Sequence, residues 1–223
     1  MARVAKKQDV RRETAAHKAR EFIDAHPSIR DCLQMDLINL SALSRKIVKE
    51  TDVESEDAAL IACRRYIVPP GYRARETAVK AVLRKSKIEI HSKVAIITVR
   101  PSYDVMKELG RVTAKYFEAG RLFRIVQGSH GVTLICDDAT VEEMLDILSR
   151  RDVIQMTRGL VEMSVTSPED IAATPGVISY LLAALAGEGI NLNEAMSCHT
   201  DTIFLVSESD MMPAFQALNK CLT

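Results

Sequence analysis

The sequence predicts an α+β protein: an N-terminal helical domain of helix-turn-helix type followed by two ferredoxin-like βαββαβ units. Three observations carry this. Short runs of apolar residues recur at helical spacing between residues 26 and 67. From Lys87 the pattern changes to strand-like alternation. Beyond that point the order strand, helix, strand, strand, helix occurs twice, and internal repetition outweighs any single motif.

Residues 1–25 read as a basic N-terminal arm, a polar helix or a frayed segment, with few apolar residues before Phe22 and Ile23. The helical domain follows over 26–87. Ser28 can cap a helix holding Ile29, Cys32, Leu33 and Leu37, and Asn39 or Ser41 can cap a second with Leu40, Leu43, Ile47 and Val48. Ser55, after the polar turn at 51–55, opens a third with Leu60, Cys63 and Ile67. Three short amphipathic helices need one another's faces to make a core, which is the outline of a helix-turn-helix bundle. Val68-Pro69-Pro70-Gly71 cannot continue a helix. Glu76 to Lys85, with Val79, Val82 and Leu83 on one side, reads as a basic connecting helix.

The first βαββαβ unit is placed at 88–158. Its strand Val94–Val99 leads through Arg100-Pro101-Ser102 to a helix with Val105, Leu109, Val112 and Tyr116 on one stripe, ended by Gly120. Strands Leu122–Gln127 and Val132–Cys136 flank the turn Gly128-Ser129-His130-Gly131. Thr140 and Glu143 have capping-box spacing for a helix with Met144, Leu145 and Leu148, and Val153–Met156 supplies a closing strand. The second unit, 159–223, has strand Leu160–Val165, turn Thr174-Pro175-Gly176, and a helix whose buried stripe is Val177, Ile178, Leu181, Leu182 and Leu185. Strands Asn191–Cys198 and Thr202–Ser207 and helix Met212–Cys221 complete it. It has no closing strand of its own. An unpaired sheet edge invites association, so Lys87–His91 or a partner subunit is expected to fill it.

Composition bounds the function. The chain has 223 residues, 47% hydrophobic and 27% charged, an ordinary globular balance. With no apolar leader at Met1–Lys7, and Val177–Ala186 as the longest largely apolar run, the expectation is a cytoplasmic protein that does not engage a membrane. Five scattered cysteines without a C-x-x-C pair fit reduced thiols and no metal site. Residues 1–92 carry 19 Lys+Arg against 13 Asp+Glu, and residues 93–223 carry 11 against 17, so the two halves have opposite net charge and suit different tasks. A search for a nucleophile with its base, a P-loop, a GxGxxG turn or metal-ligand spacing finds none, and neither an enzyme nor a cofactor is expected. Arg45, Lys46, Arg64, Arg65, Arg73, Lys80 and Arg84 offer phosphate contacts to DNA. Against that, Asp52, Glu54, Glu56 and Asp57 crowd the start of the third helix, the one that would enter the major groove.

The run Thr174-Pro175-Gly176-Val177-Ile178-Ser179-Tyr180-Leu181-Leu182, continued to Gly187-Glu188-Gly189-Ile190-Asn191-Leu192, closely resembles the signature of ACT domains. Ser197-Cys198-His199-Thr200-Asp201-Thr202-Ile203 is similar to the second and third strands of the ACT pair in aspartokinases. The likeness is more specific over 160–221 than over 93–158, where Pro101-Ser102-Tyr103 stands in place of the Pro-Gly turn. No part of the chain resembles an aspartokinase catalytic domain. The whole resembles archaeal predicted regulators of amino-acid metabolism with tandem ACT domains. The resemblance implies an amino-acid sensor acting on a partner metabolic enzyme, assembled as a homodimer or larger homo-oligomer. It implies that Pro175, Gly176, Val177, Ile178 and Ser179 cradle the ligand, with Asn191 close by and Asp201 receiving the α-amino group. A ligand-responsive DNA-binding regulator and a ligand-independent assembly module are the alternatives.

Overall fold

The computed structural model describes residues 14–66 and 72–223. Two compact units divide the chain, Met1–Tyr72 and Arg73–Thr223. Ile67, the break at Val68-Pro69-Pro70-Gly71 and the first half of the expected arm lie outside the described residues.

The first unit contains α1 (Ala15–Ala25), α2 (Pro27–Gln34), α3 (Leu40–Glu50) and α4 (Glu56–Arg64). Side-chain caps start three of them, each satisfying amides that a helix leaves without partners. Thr14 accepts from the His17 amide, Asn39 from those of Ser41 and Ala42, and Ser55 from that of Ala58. Of the two readings of the arm, residues 15–25 take the helical one, and they join the core of the domain expected to begin at 26: Ala19, Phe22 and Ile23 are buried against Leu43, Ile47, Val53, Ala59 and Cys63. Their apolar stripe is short but is enough to share a core. The second helix begins at Pro27, not after Ser28, because proline suits the first helical position, where its missing N–H costs nothing. Leu37 lies beyond that helix and is exposed.

The second unit opens with α5 (Tyr72–Leu83). Expected to belong with the other helices, α5 instead packs Val79, Val82 and Leu83 into the core of the sheet unit. There follow β1 (Lys87–Val99), α6 (Tyr103–Glu118), β2 (Phe123–Gln127), β3 (Val132–Asp137), α7 (Val141–Ile147) and β4 (Val153–Thr166). Then come α8 (Val177–Gly187), β5 (Glu194–Cys198), β6 (Asp201–Ser207) and α9 (Met211–Leu222). The strands make one six-stranded antiparallel sheet in the order β2-β3-β1-β4-β6-β5. The Thr140–Glu143 capping box does not form. The Thr140 hydroxyl donates to the Asp137 carbonyl at 2.7 Å, since a short 3₁₀ turn at Asp138–Thr140 precedes α7. The strand after α8 starts at Glu194, three residues later than Asn191, because the turn out of the helix uses Asn191–Asn193.

Two long strands span the sheet. The first half of β1 pairs antiparallel with the end of β4, Lys87 opposite Thr166 through His91 opposite Glu162. This is the edge that Lys87–His91 was expected to cover. The second half of β1, Val94–Val99, lies between β3 and the first half of β4. Where the two halves meet, the register slips twice. One extra β1 residue sits between His91 and Val94, and one extra β4 residue between Leu160 and Thr157. Lys93 at φ 59° and Gly159 at φ 70° mark these bulges.

Residues of alternate parity face opposite sides. One face carries the helices, over two cores: Val161, Met163, Val165, Leu181, Leu185, Phe204 and Leu218 among them in one, Ile97, Leu109, Tyr116, Leu134 and Met144 in the other. On the opposite face Val94, Ile96, Ile135, Leu160, Ile203 and Leu205 are buried although no described helix of this unit packs on them. Curling of the sheet explains this. Arg124 on β2 donates from Nε and Nη2 to the two carboxylate oxygens of Glu162 on β4, at 2.9 and 2.8 Å. On a flat sheet those residues would stand about 20 Å apart along a diagonal, beyond the combined reach of the two side chains. The helix-free face is therefore concave.

Candidate functional site

The Pro175-Gly176 turn joins the end of β4 to α8. After Thr166 the chain passes through Ser167, whose amide donates to the Thr200 carbonyl at 2.9 Å and whose hydroxyl accepts from Ser86 at 2.9 Å. A 3₁₀ turn, Glu169–Ala173, then leads to Thr174, whose hydroxyl donates to the Asp170 carbonyl at 2.7 Å. Gly176 caps α8 with φ 103°, a conformation that L side chains rarely adopt, and no side chain caps the helix here. The Gly176 carbonyl accepts from the Tyr180 amide at 2.9 Å. The amides of Val177, Ile178 and Ser179 begin the helix without intrahelical acceptors, and the positive end of the helix dipole adds to their pull on an anion.

Burial sorts the residues expected here. Pro175, Gly176, Ile178 and Ser179 are exposed, whereas Val177 is buried in the core. Ile178 thus stands outside the stripe in which the helical pattern put it. Val79 of α5 stands beside the turn, and a Cβ on Gly176 would meet its Cγ2 at 3.6 Å. Asp201 begins β6 opposite Thr166, at the same end of the sheet. It shares the parity of Ile203 and Leu205 and so belongs to the concave side, where its carboxylate accepts from the Thr166 hydroxyl at 2.8 Å. Asn191 lies elsewhere. It follows the C-terminal end of α8, and eleven helical residues put it about 16 Å from the turn. A strand-helix-strand crossover leaves the two ends of its helix at opposite ends of the sheet, so one chain does not bring Asn191 to its own Gly176.

Three residues the sequence did not single out belong to this neighbourhood. Thr166 holds Asp201, and Val79 flanks the glycine. Thr202, on the helical side at the same end of the sheet, has a buried hydroxyl without a hydrogen-bond partner among the described residues. Strand parity identifies Thr166 once the β4–β6 register is known, but nothing local to the sequence foretells Val79.

The basic residues considered for DNA divide between the units: Arg45, Lys46, Arg64 and Arg65 in the first, Arg73, Lys80 and Arg84 in the second. Several are engaged. Lys46 pairs with Glu50 at 2.5 Å, Arg45 with Glu56 at 3.6 Å and Lys80 with Glu76 at 2.7 Å. The Lys46 ammonium holds the Glu50 carboxyl below its ordinary range, and Glu76 raises Lys80. Glu56 and Asp57 occupy the first turn of α4, where acidic side chains offset the helix dipole. Burial raises the Cys63, Cys136 and Cys221 thiols. Among the described residues no His, Cys, Asp and Glu gather into a cluster of metal-binding type, and no helix is long and apolar enough to cross a membrane.

Residues 155–220 match the family model of the ACT domain, a stretch that runs from β4 through α9. No curated protein matches the chain. Among solved structures, the chain is similar to the regulatory subunit of aspartate kinase from Thermus thermophilus, at 16% identity and a TM-score of 0.49, covering 61% of this chain and 96% of that one. It is similar to the aspartate kinase of Clostridium acetobutylicum at 15% identity and a TM-score of 0.49, covering 61% of this chain and only 34% of the enzyme. A protein from Vibrio cholerae described as a possible transport protein aligns at 13% identity and a TM-score of 0.46, covering 67% of this chain and 99% of that one.

Proposed function

We propose, from the ACT-domain match of residues 155–220, that this protein is a regulatory amino-acid sensor without catalytic activity of its own, acting on a partner enzyme of amino-acid metabolism. In this reading the two halves of the curled sheet are two ACT-like units. The second takes its fourth strand from Lys87–His91, and the first, which lacks the Pro-Gly turn, serves as a partner surface. The observation that carries the ligand assignment is the exposed turn at Pro175-Gly176, uncapped and flanked by the open amides of Val177, Ile178 and Ser179. An α-carboxylate suits those donors. One Asp201 oxygen is taken by Thr166 and the other is available to an ammonium group. Asn191 serves the turn of a neighbouring copy, consistent with a homodimer, because its own turn is a helix length away. The ion pairs that occupy Arg45, Lys46 and Lys80 favour a protein partner over DNA.

The test is thermal unfolding with each of the twenty amino acids at millimolar concentration. A ligand that binds only the folded state raises the midpoint, by roughly 2.7 kcal/mol of stability at a hundredfold excess over Kd. A rise with one amino acid, abolished in Gly176→Trp, is expected. No rise with any amino acid would sink free amino-acid sensing and leave the assembly module as the better reading.

A further inference from the structure

The surface of α6 falls into three sectors. Val105, Leu109, Val112 and Tyr116 are buried in the core of the first half of the sheet. Asp104, Lys107, Glu108, Arg111, Lys115 and Glu118 fill one outward arc, and Lys115 turns that arc toward α7 by pairing with Glu143. The remaining arc holds Tyr103, Met106, Gly110, Thr113, Ala114 and Phe117, all exposed and none charged, within about 100° of the helix circumference. It faces away from α7, on the flank of the sheet that ends in β2. There α6 meets β2 through Tyr116 and Phe123, with ring centroids 5.0 Å apart, and the outer edge of β2 has no described strand beside it.

Two features of the uncharged arc call for a second helix. Gly110 stands mid-helix, where glycine costs stability relative to alanine. Yet, its own helix backbone aside, no described atom lies within 4 Å of where its Cβ would be. The chain's own packing has no use for the missing side chain, whereas a helix axis brought close from outside does. Tyr103 is 82% exposed and Phe117 86%, so large apolar groups are left in water at both ends of the same arc. The spacing 103, 106, 110, 113, 117 alternates three and four, the period of helices that pack along their length.

The arc is also symmetric. Tyr103 and Phe117 stand seven residues either side of Gly110, and Met106 and Ala114 four either side. Turned end for end about Gly110, the arc matches itself, with ring against ring at both ends, a long side chain against a short one between them, and backbone against backbone at the centre. A face that is its own complement is what a two-fold pair of identical chains requires. The four rings of such a pair take about 500–800 Å² out of water. Met106 and the flanking residues carry the contact toward the ~1,000 Å² at which an interface becomes specific.

We propose that α6 docks on α6 of a second copy of this chain, antiparallel, with the two-fold axis at Gly110. This rests on the reading of the first ACT-like unit as a partner surface and names the occupant of that surface. Neither the glycine turn nor any ligand takes part in it.

Sedimentation equilibrium of the full chain at micromolar concentration reads the association, and twice the 24.7 kDa of one chain is expected for wild type. Phe117→Asp changes an exposed side chain, and Gly110→Glu sets two like charges at the axis. Each is expected to weaken association about a hundredfold while the circular dichroism spectrum and Tm are retained. Register is read with a short bifunctional thiol cross-linker in a Cys32→Ser/Cys198→Ser background, which removes the native thiols that are not buried. Chains carrying Tyr103→Cys are expected to cross-link only when mixed with chains carrying Phe117→Cys, because like positions lie about 21 Å apart along the paired helices. Gly110→Cys is expected to cross-link with itself. A monomeric wild type overturns the proposal, as does a dimer that both charged variants leave intact, or one that cross-links through like positions at 103 or 117. Amino-acid sensing fails separately, if no amino acid raises Tm.

Discussion

The Arg124–Glu162 pair makes a prediction whose asymmetry follows from burial. The Glu162 side chain is 4% exposed and that of Arg124 is 36% exposed. Replacing Arg124 by Met strands a carboxylate in the concave face with only the Ser164 hydroxyl beside it, a loss of about 3–5 kcal/mol for a buried charge deprived of its partner. Replacing Glu162 by Gln leaves the guanidinium able to turn toward water and keeps one acceptor in place, so the cost falls to about 1–2 kcal/mol. The double variant Arg124→Met/Glu162→Met puts apolar groups next to Leu160 and Leu205 and is expected to lose less than Arg124→Met alone. Urea unfolding of the four proteins, followed by circular dichroism, gives the numbers. A Glu162→Gln loss equal to or greater than that of Arg124→Met would refute the claim that the acid is the buried, dependent member of the pair.

Two further outcomes are expected. Gly176→Ala should cost about 1–2 kcal/mol from backbone conformation, because φ is 103° while the added Cβ would make only ordinary contact with Val79 at 3.6 Å. Trimming Val79 to Ala should then fail to restore urea stability, and a restoration would assign the cost to crowding instead. The Arg158 guanidinium, bonded to Asp138 at 2.6 and 2.9 Å, holds that carboxyl below its ordinary value of 3.8. A depressed folded value stabilises the protein at pH above 3.8, and the contribution fades as pH falls through the lowered value. The gap in Tm between wild type and Arg158→Gln should therefore shrink in strong acid, and a gap unchanged there would contradict the pairing.

Local rules in the sequence found what local rules govern. Asn39 and Ser55 cap helices because short polar side chains reach the first amides, and Gly128–Gly131 closes a hairpin with the Gly128 amide donating to the Gly131 carbonyl at 2.8 Å. Helical spacing identified Leu181 and Leu185 as core, yet misplaced Ile178, whose exposure depends on where α8 begins on the sheet. The turn itself was legible, because proline followed by glycine ends extended chain and opens a helix, and Gly176 takes φ 103° there. The curl was not legible: nothing near Arg124 in sequence indicates a partner 38 residues on, across two intervening strands. The allegiance of α5 is not legible either, since Val79, Val82 and Leu83 specify an apolar face but not which core receives it.

The shared strands bear on how this chain is made and how it can be cut. The first half of β1 leaves the ribosome long before its partner on β4, roughly 75 residues later, so the sheet cannot close on local contacts and should assemble late. The stretch that matches the ACT domain, residues 155–220, holds every strand of its half except the one supplied by Lys87–His91. Excised on those boundaries it would present the edge of β4 bare, with Val161, Met163 and Val165 beside it. In this chain the recognisable module is shorter than the set of strands that completes its sheet.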